Sequence, residues 1–139
     1  MRISVIISTY NNPAWLEKVI WGYENQTHSD FEFIIADDGS GEETRSLIGR
    51  YQKTSHMKIV HVWHPDKGFQ KSAILNKATA AATTDYLLFS DGDCIPRKDF
   101  VETHVRNAKP GYFLSGGYFK LPMERSEEHT SELQSLRHI

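Results

Sequence analysis

The 139-residue sequence has little of what marks disulfide-linked, membrane or nucleic-acid-binding proteins. Its single cysteine, Cys94, excludes an internal disulfide and a cysteine-cage zinc site, which fits a reducing compartment. No apolar run reaches the ~20 residues of a membrane helix, and the N-terminal run is too short for a signal peptide. The net charge is −2 and the sequence has no basic stripe, so no nucleic-acid partner is predicted. We expect one soluble domain without a transmembrane segment.

Glycine-rich phosphate-binding motifs are also missing. Neither G-x-G-x-x-G after the first strand nor G-x-x-x-x-G-K-[ST] occurs, so dinucleotide-binding and P-loop functions lose their main support. A diphosphate bound to this chain would need a metal ion to neutralise its charge, with help from Lys67 or Lys71.

What the sequence does contain is a regular alternation of strand-like and helix-like segments. Apolar, β-branched runs predict buried strands over 3–8, 31–36, 58–63 and 86–90. Residues at helical spacing between them predict helices that begin at Pro13, at a capping box on Ser40 and near Gln70. This order predicts an α/β fold, a mostly parallel, Rossmann-like sheet flanked by helices.

The last third of the chain is less regular. Pro96 is predicted to open a further helix, and residues 112–121 are predicted to form a last strand. From about Arg125 the chain reads RSEEHTSELQSLRHI, which is polar and resembles the translation of a sequencing-library adapter. We therefore expect an incomplete domain over residues 1–122 and a non-native or disordered tail over 123–139.

Acidic and hydroxyl residues follow three of the predicted strands. The first strand ends in Ser8-Thr9-Tyr10, the second in a pair of aspartates at 37–38, and the fourth in Asp91-Gly92-Asp93. Ligands of open parallel sheets bind at the carboxyl ends of the strands. Carboxylates that meet there would repel one another without a cation, and hard oxygen ligands suit Mg²⁺ or Mn²⁺ bound together with a phosphate. The sequence therefore predicts a metal-bound phosphate ester at this edge.

Three segments together resemble the family 2 glycosyltransferases of the GT-A fold: SVIISTYN at 4–11, IIADDGS at 34–40 and DGD at 91–93. The resemblance spans roughly residues 1–122, the nucleotide-sugar-binding part. It implies metal-dependent, inverting transfer of a sugar from a nucleoside-diphosphate donor, expected to be a UDP-sugar, to a glycan or lipid-linked acceptor.

The resemblance also assigns roles to the donor-binding positions. It places Ser8 and Tyr10 beside the nucleobase, and it makes Asp38 the acceptor of a hydrogen bond from the base, with Asp37 as its neighbour. It places Asp91 near the ribose or a metal-bound water.

Two further assignments concern the metal ion and the diphosphate. The resemblance makes Asp93 a direct ligand of Mn²⁺ or Mg²⁺, with Asp91 beside it at the metal site. Residues 66–78 resemble the stretch D-x-G-F-R-x-A-x-x-x-N-x-A of many members. Gln70 stands where arginine is commoner, so Lys71 is the candidate phosphate ligand.

The general base of the family comes from a later segment. Asp99 and Glu102 follow the metal motif too closely to replace it, so we expect the fragment to bind donor without transferring sugar. By analogy the full-length protein would serve envelope polysaccharide synthesis in the cytoplasm. It would act there either free or in peripheral association with the inner face of the membrane.

Two other functions stay open on the sequence. One is a non-catalytic nucleotide-binding module. The other is a metal-dependent phosphohydrolase of the haloacid dehalogenase class, whose D-x-D-x-[TV] loop resembles residues 91–95; that class carries its loop after the first strand. A zinc site at His61 and His64 is disfavoured because no third ligand is nearby.

Overall fold

The computed structural model describes residues 1–117, which form a four-stranded sheet with helices on both faces. The elements are, in chain order, β1 (Ile3–Thr9), α1 (Pro13–Glu24), β2 (Phe31–Asp37), α2 (Glu42–Thr54), β3 (Lys58–Trp63), α3 (Lys71–Ala81), β4 (Leu87–Asp91) and α4 (Phe100–Asn107). The strands are all parallel and lie in the order β3-β2-β1-β4. The predicted parallel α/β fold is confirmed.

The core follows the two-residue period of the strands. On one face, Val5 and Ile7 of β1 pack with the apolar sides of α1, α2 and α4. On the other face, Ile6 of β1 packs with Ile74 and Ala78 of α3. Strands β1 and β2 are buried along almost their whole length, which is why their sequences read as unbroken apolar runs.

The start of α2 differs from the predicted capping box. Gly41, not Ser40, occupies the N-cap position. The Ser40 hydroxyl instead accepts a hydrogen bond from the backbone N–H of Asn11 at 2.9 Å, and Gly41 N–H donates to Asn11 Oδ1 at 2.7 Å. These two bonds fasten the β2–α2 loop to the β1–α1 turn.

Two predictions near the C-terminal end were wrong. Helix α4 begins at Phe100, not at Pro96. Pro96 packs instead against α1, where a Cβ on Gly22 would lie 2.6 Å from Pro96 Cδ. Residues 112–117 form no strand. The rest of that predicted strand and the predicted tail over 123–139 lie outside the described residues.

The sheet topology sets where a ligand can bind. From β1 the chain runs to β2 and β3 on one side, and β4 then pairs with β1 on the other. A crevice forms beyond the carboxyl ends of the strands where the order reverses in this way. Ser8 of β1 is in register with Asp91 of β4, and Thr9 is in register with Asp37 of β2. Among the described helices, none is long and apolar enough to cross a membrane.

Candidate functional site

A cleft of about 480 Å³ opens at the carboxyl ends of β1 and β4. The predicted site residues that line it are Ser8, Tyr10, Asp38, Lys71, Asp91 and Asp93. Its other lining residues are Thr9, Asn12, Asp66, Gly68, Phe69, Ile74 and Gly92. The structure therefore brings six of the seven predicted donor and metal residues to one cavity.

The end of β1 joins the two acidic segments. Its Thr9 carbonyl accepts a hydrogen bond from Asp38 N–H at 3.0 Å, and its Ser8 carbonyl accepts one from Gly92 N–H at 2.7 Å. Asp38 therefore lies on one side of the strand end and the Asp91–Asp93 turn on the other. Segments more than 50 residues apart in sequence meet here through main-chain bonds.

Asp91 is held by two donors. Ser8 Oγ and Lys71 Nζ each donate to Asp91 Oδ1 at 2.9 Å. Burial alone would raise the pKa of Asp91, but the hydrogen bonds from Lys71 and Ser8 outweigh it and place that pKa below its ordinary value. Asp91 is therefore an anion whose orientation is fixed at the start of the Asp91–Asp93 turn.

Asp93 is exposed, and its ligand atom lies within 4.8 Å of those of Asp91 and Cys94. Burial, aided by the neighbouring carboxylates, raises the pKa of the half-buried Cys94 thiol. The thiol stays protonated and is a poor ligand beside two carboxylates. Those carboxylates are the hard oxygen donors that Mg²⁺ and Mn²⁺ accept together with phosphate oxygens. The residues present could hold such an ion.

Asp38 is buried at the other side of the cleft, and both of its oxygens accept hydrogen bonds. His64 Nε2 lies 2.6 Å from Oδ1, and Gln70 N–H donates to Oδ2 at 2.8 Å. Lys77 Nζ in turn contacts His64 Nδ1 at 2.9 Å. Neither His64 nor Lys77 was singled out as a site residue from the sequence, although His64 directly follows the third strand at the same edge of the sheet.

Asp37 is the one predicted donor residue that does not line the cleft. It is fully buried, with Oδ2 bonded to His61 Nε2 at 2.8 Å and Oδ1 accepting from Ser40 N–H at 2.9 Å. Its carboxylate therefore braces β2 against β3 and shapes the following turn. His61, which the sequence disfavoured as a zinc ligand, is the partner in that brace.

The Tyr10 ring forms part of the cleft wall and is half exposed. Its hydroxyl donates to Asp66 Oδ2 at 2.7 Å, which raises the pKa of Tyr10 and lowers that of Asp66. The Asp66 backbone approaches Gly39 closely: a Cβ on Gly39, whose φ is +87°, would lie 2.5 Å from Asp66 N. Only glycine accommodates both that φ and that contact.

The two lysines considered for phosphate binding lie in different places. Lys71, in the first turn of α3, reaches the cleft through its bond to Asp91. Lys67 does not line the cleft. It borders a second cavity, of about 220 Å³, which is also lined by His64 and Lys77.

Comparison with known proteins identifies a family of enzymes with this fold. The family model described as "Glycosyl transferase family 2" matches residues 4–136. Over 93 residues the chain is 39% identical to an uncharacterized glycosyltransferase of Nostoc sp., covering 67% of this chain and 28% of that protein. Over 104 residues it is 36% identical to a hyaluronan synthase of Pasteurella multocida, covering 74% of this chain and 10% of that protein.

A solved structure supports the same fold. The chain resembles a mannosyltransferase from Pyrobaculum calidifontis, in complex with GDP-Man and Mn²⁺, with a TM-score of 0.70 and 25% identity. That match covers 78% of this chain and 33% of the mannosyltransferase. The chain thus spans between a tenth and a third of the length of these three proteins.

Proposed function

The chain belongs to glycosyl transferase family 2, and on that premise we propose that its cleft binds the nucleoside-diphosphate part of a sugar donor. The observation that supports this most directly is the convergence of Asp38 and the Asp91–Asp93 turn on the two sides of the end of β1, in one cleft. Sugar transfer from that donor to a glycan or lipid-linked acceptor, with inversion at the sugar carbon, is the reaction we propose for the whole protein.

In this arrangement the two ends of the cleft have different tasks. Tyr10 offers an aromatic face and Asp38 a hydrogen-bond acceptor, so the base binds at their end. Asp93, with Asp91 beside it, would hold Mn²⁺ or Mg²⁺ at the other end. When bound, the ion stabilises the negative charge that develops on the leaving diphosphate. The solved structure of the similar mannosyltransferase is a complex with GDP-Man and Mn²⁺, which supports this assignment.

Lys71 is the proposed cationic partner of the diphosphate. Its ammonium group is bonded to Asp91, yet its side chain is 41% exposed and lies along the cleft. A phosphate oxygen beside Asp91 would be within reach of the same three donor hydrogens. Lys71 thus supplies the positive charge that its neighbour Gln70, at the position where arginine is commoner, lacks.

The general base is proposed to come from a segment of the full-length protein outside this chain. The carboxylates that line the described cleft are Asp38, Asp66, Asp91 and Asp93. The first three accept hydrogen bonds from neighbouring groups, and the Tyr10 bond lowers the pKa of Asp66, which weakens it as a base. Asp93 is assigned to the metal. We also propose that the full-length protein acts in the cytoplasm or at the inner face of a membrane.

The test is metal-dependent nucleotide binding. We expect calorimetry to show that UDP or GDP binds the chain in the presence of Mn²⁺, and that Asp93→Asn weakens this binding about tenfold or more, because one direct metal ligand is lost. Asp85→Asn is the matched control: Asp85 is exposed and does not line the cleft.

Each outcome of this test has a distinct meaning. Binding that Mn²⁺ does not strengthen, or that Asp93→Asn leaves intact, would contradict the metal site alone. Failure of the unaltered chain to bind any nucleoside diphosphate would contradict the proposed function. Binding without transfer by the full-length protein would favour the non-catalytic nucleotide-binding module.

A further inference from the structure

Asp38 is one of two carboxylates at the base end of the cleft, and it is held from behind by groups that do not line that cleft. Its side chain is 10% exposed and that of His64 is 9% exposed. His64 Nε2 lies 2.6 Å from Asp38 Oδ1, and the Gln70 N–H donates to Oδ2 at 2.8 Å. Each carboxylate oxygen therefore accepts one hydrogen bond from the protein and keeps a second acceptor direction for a ligand.

The direction of these hydrogen bonds follows from Lys77. A lysine ammonium group has three donor hydrogens and no acceptor. Its 2.9 Å contact with His64 Nδ1 therefore requires a lone pair on Nδ1, which places the ring hydrogen on Nε2. That Nε2–H then donates to Asp38 Oδ1. Lys77, His64 and Asp38 form a chain in which every bond points toward the carboxylate.

The opposite tautomer would break this chain. With the hydrogen on Nδ1, the lone pair of Nε2 would face a carboxylate oxygen at 2.6 Å, so two acceptors would be in contact. The buried carboxylate would then lose one of its two protein donors and gain freedom to rotate. Lys77, which lies on the exposed side of α3 and outside the cleft, prevents the ring from adopting this tautomer.

We propose that His64 and Lys77 are positioning residues that fix Asp38 as a hydrogen-bond acceptor toward the donor's base, and thereby restrict the donor to nucleotides whose base presents a ring N–H. Uracil and guanine carry a ring N–H on their Watson–Crick edge, whereas cytosine and adenine present a ring nitrogen lone pair on that edge. The inference rests on the proposed function, because it assumes that a nucleotide base lies against Asp38.

The physical reason for discrimination is the cost of an unmatched buried acceptor. A base with a lone pair facing Asp38 leaves two acceptors in contact and strips water from the carboxylate without replacing it. Sites that hydrogen-bond a ligand group reject analogues lacking that group far more strongly than apolar pockets reject a methylene. This discrimination depends on the orientation of Asp38, and that orientation depends on His64.

The experiment compares base preference across a set of variants at constant Mn²⁺. Binding of UDP, GDP, CDP and ADP is measured by calorimetry for the unaltered chain, His64→Asn, His64→Gln, Lys77→Met and Lys67→Met. Glutamine can place an amide N–H where Nε2–H lies, whereas asparagine is too short. Lys67 borders the same second cavity as Lys77 but is not hydrogen-bonded to His64, and it is the matched control.

We expect the unaltered chain to bind UDP or GDP about tenfold or more tightly than CDP and ADP. His64→Asn should reduce that ratio to near unity and Lys77→Met should reduce it several-fold, while His64→Gln and Lys67→Met keep it. In addition, long-range ¹H–¹⁵N spectra should show the His64 hydrogen on Nε2 in the unaltered chain and a mixture of tautomers in Lys77→Met. A purely structural role for Lys77 would not move that signal.

The outcomes separate this inference from the function on which it rests. If no nucleoside diphosphate binds the unaltered chain, the proposed function fails and this inference falls with it. If nucleotides bind but Lys77→Met keeps both the base preference and the Nε2–H tautomer, the inference alone is overturned. Should His64→Asn fail to fold, Lys77→Met decides, because Lys77 is exposed on the surface of α3.

Discussion

Gly92 lies between the two aspartates of the metal turn and donates its N–H to the Ser8 carbonyl at 2.7 Å. A Cβ at this position would lie 2.8 Å from that carbonyl oxygen and 3.1 Å from two side-chain atoms of Thr9. The contact is with main chain of a buried strand, which cannot give way cheaply. The absence of a side chain at Gly92 is therefore what lets Asp91 and Asp93 lie against the end of β1.

We expect Gly92→Ala to displace the turn and to weaken Mn²⁺-dependent nucleotide binding about tenfold. It should also lower the free energy of unfolding by about 1–3 kcal/mol, the usual cost of forcing a methyl group into a packed site. Calorimetry with UDP and Mn²⁺ measures the first effect, and urea denaturation measures the second. Gly49→Ala in α2 is the control, because nothing lies within 4 Å of a Cβ there. Unchanged binding in Gly92→Ala would show that the close approach is unimportant.

Some residues of the site could be predicted from the sequence, and others could not. The pattern Asp-Gly-Asp after a strand was enough to locate Asp91 and Asp93, because parallel strands end at a common edge. The same pattern could not separate Asp37 from Asp38. The first is the last residue of β2 and turns into the protein toward His61, while the second follows it and faces the cleft. The roles of His64 and Lys77 could not be predicted, because their contact joins a loop to a helix and the two residues are 13 apart in sequence.

At the scale of elements, Glu32 fixes the α3–β4 connection at the end of the sheet opposite the cleft. It is fully buried in β2 and accepts hydrogen bonds from Ser4 Oγ at 2.6 Å, Thr83 N–H at 2.7 Å and Thr83 Oγ1 at 2.9 Å. Thr83 belongs to the α3–β4 connection, so this carboxylate fixes the segment that delivers β4 to β1. Burial alone would raise the pKa of Glu32, but the bonds from Ser4 and Thr83 outweigh it and lower that pKa below its ordinary value of 4.5.

We expect Glu32→Gln to lower the free energy of unfolding at neutral pH by about 1–3 kcal/mol, because an amide cannot accept all of these bonds and sets an N–H against a buried donor. The pH dependence has a definite sign. The lowered pKa of Glu32 stabilises the fold above pH 4.5, and this stabilisation is lost as pH falls through the folded-state value.

Thermal denaturation between pH 7 and pH 3 measures both effects. The melting temperature of Glu32→Gln should depend less on pH below 4.5 than that of the unaltered chain. Glu43→Gln, on the exposed side of α2, is the control and should behave like the unaltered chain. If both variants melt with the same pH profile, the Glu32 network does not contribute as inferred.

The elements themselves were predictable to different degrees. The four strands of the sheet were located to within one residue. The signal was clearest for β1 and β2, which are buried on both faces and therefore appear in the sequence as unbroken apolar runs. Helix α3 also began within one residue of its predicted start. The predicted N-cap of α2 was one residue early, because the Ser40 hydroxyl bonds to the β1–α1 turn and Gly41 takes the cap position. The start of α4 was missed by four residues, because Pro96 packs against Gly22 rather than opening a helix.

At the scale of the whole molecule, the sheet order decides where chemistry can occur. Alternating strands and helices predicted a parallel sheet, but the sequence contains no signal for the order β3-β2-β1-β4. That order places the second and fourth strand ends on either side of β1, which makes a single cleft from separate acidic segments. The phosphohydrolase alternative also loses support. The aspartate loop of that class follows the first strand, whereas the Asp91–Asp93 turn follows β4, and the chain belongs to glycosyl transferase family 2.

The division of the reaction between this cleft and the rest of the protein can be tested directly. We expect residues 1–139 to bind a nucleotide-sugar and Mn²⁺ yet release nucleoside diphosphate no faster with added acceptor than without it. The reason is chemical: deprotonation of an acceptor hydroxyl needs a positioned base, and the cleft carboxylates Asp38, Asp66 and Asp91 are already hydrogen-bonded while Asp93 is assigned to the metal. A coupled assay for UDP or GDP release, run with the 139-residue chain and with the full-length protein, measures the difference. Any acceptor-dependent release by the 139-residue chain would place a working base among residues 1–139 and refute this division. If Asp66→Asn abolished that release, Asp66 would be the base; if the release persisted in Asp66→Asn, the base would be another residue of the chain.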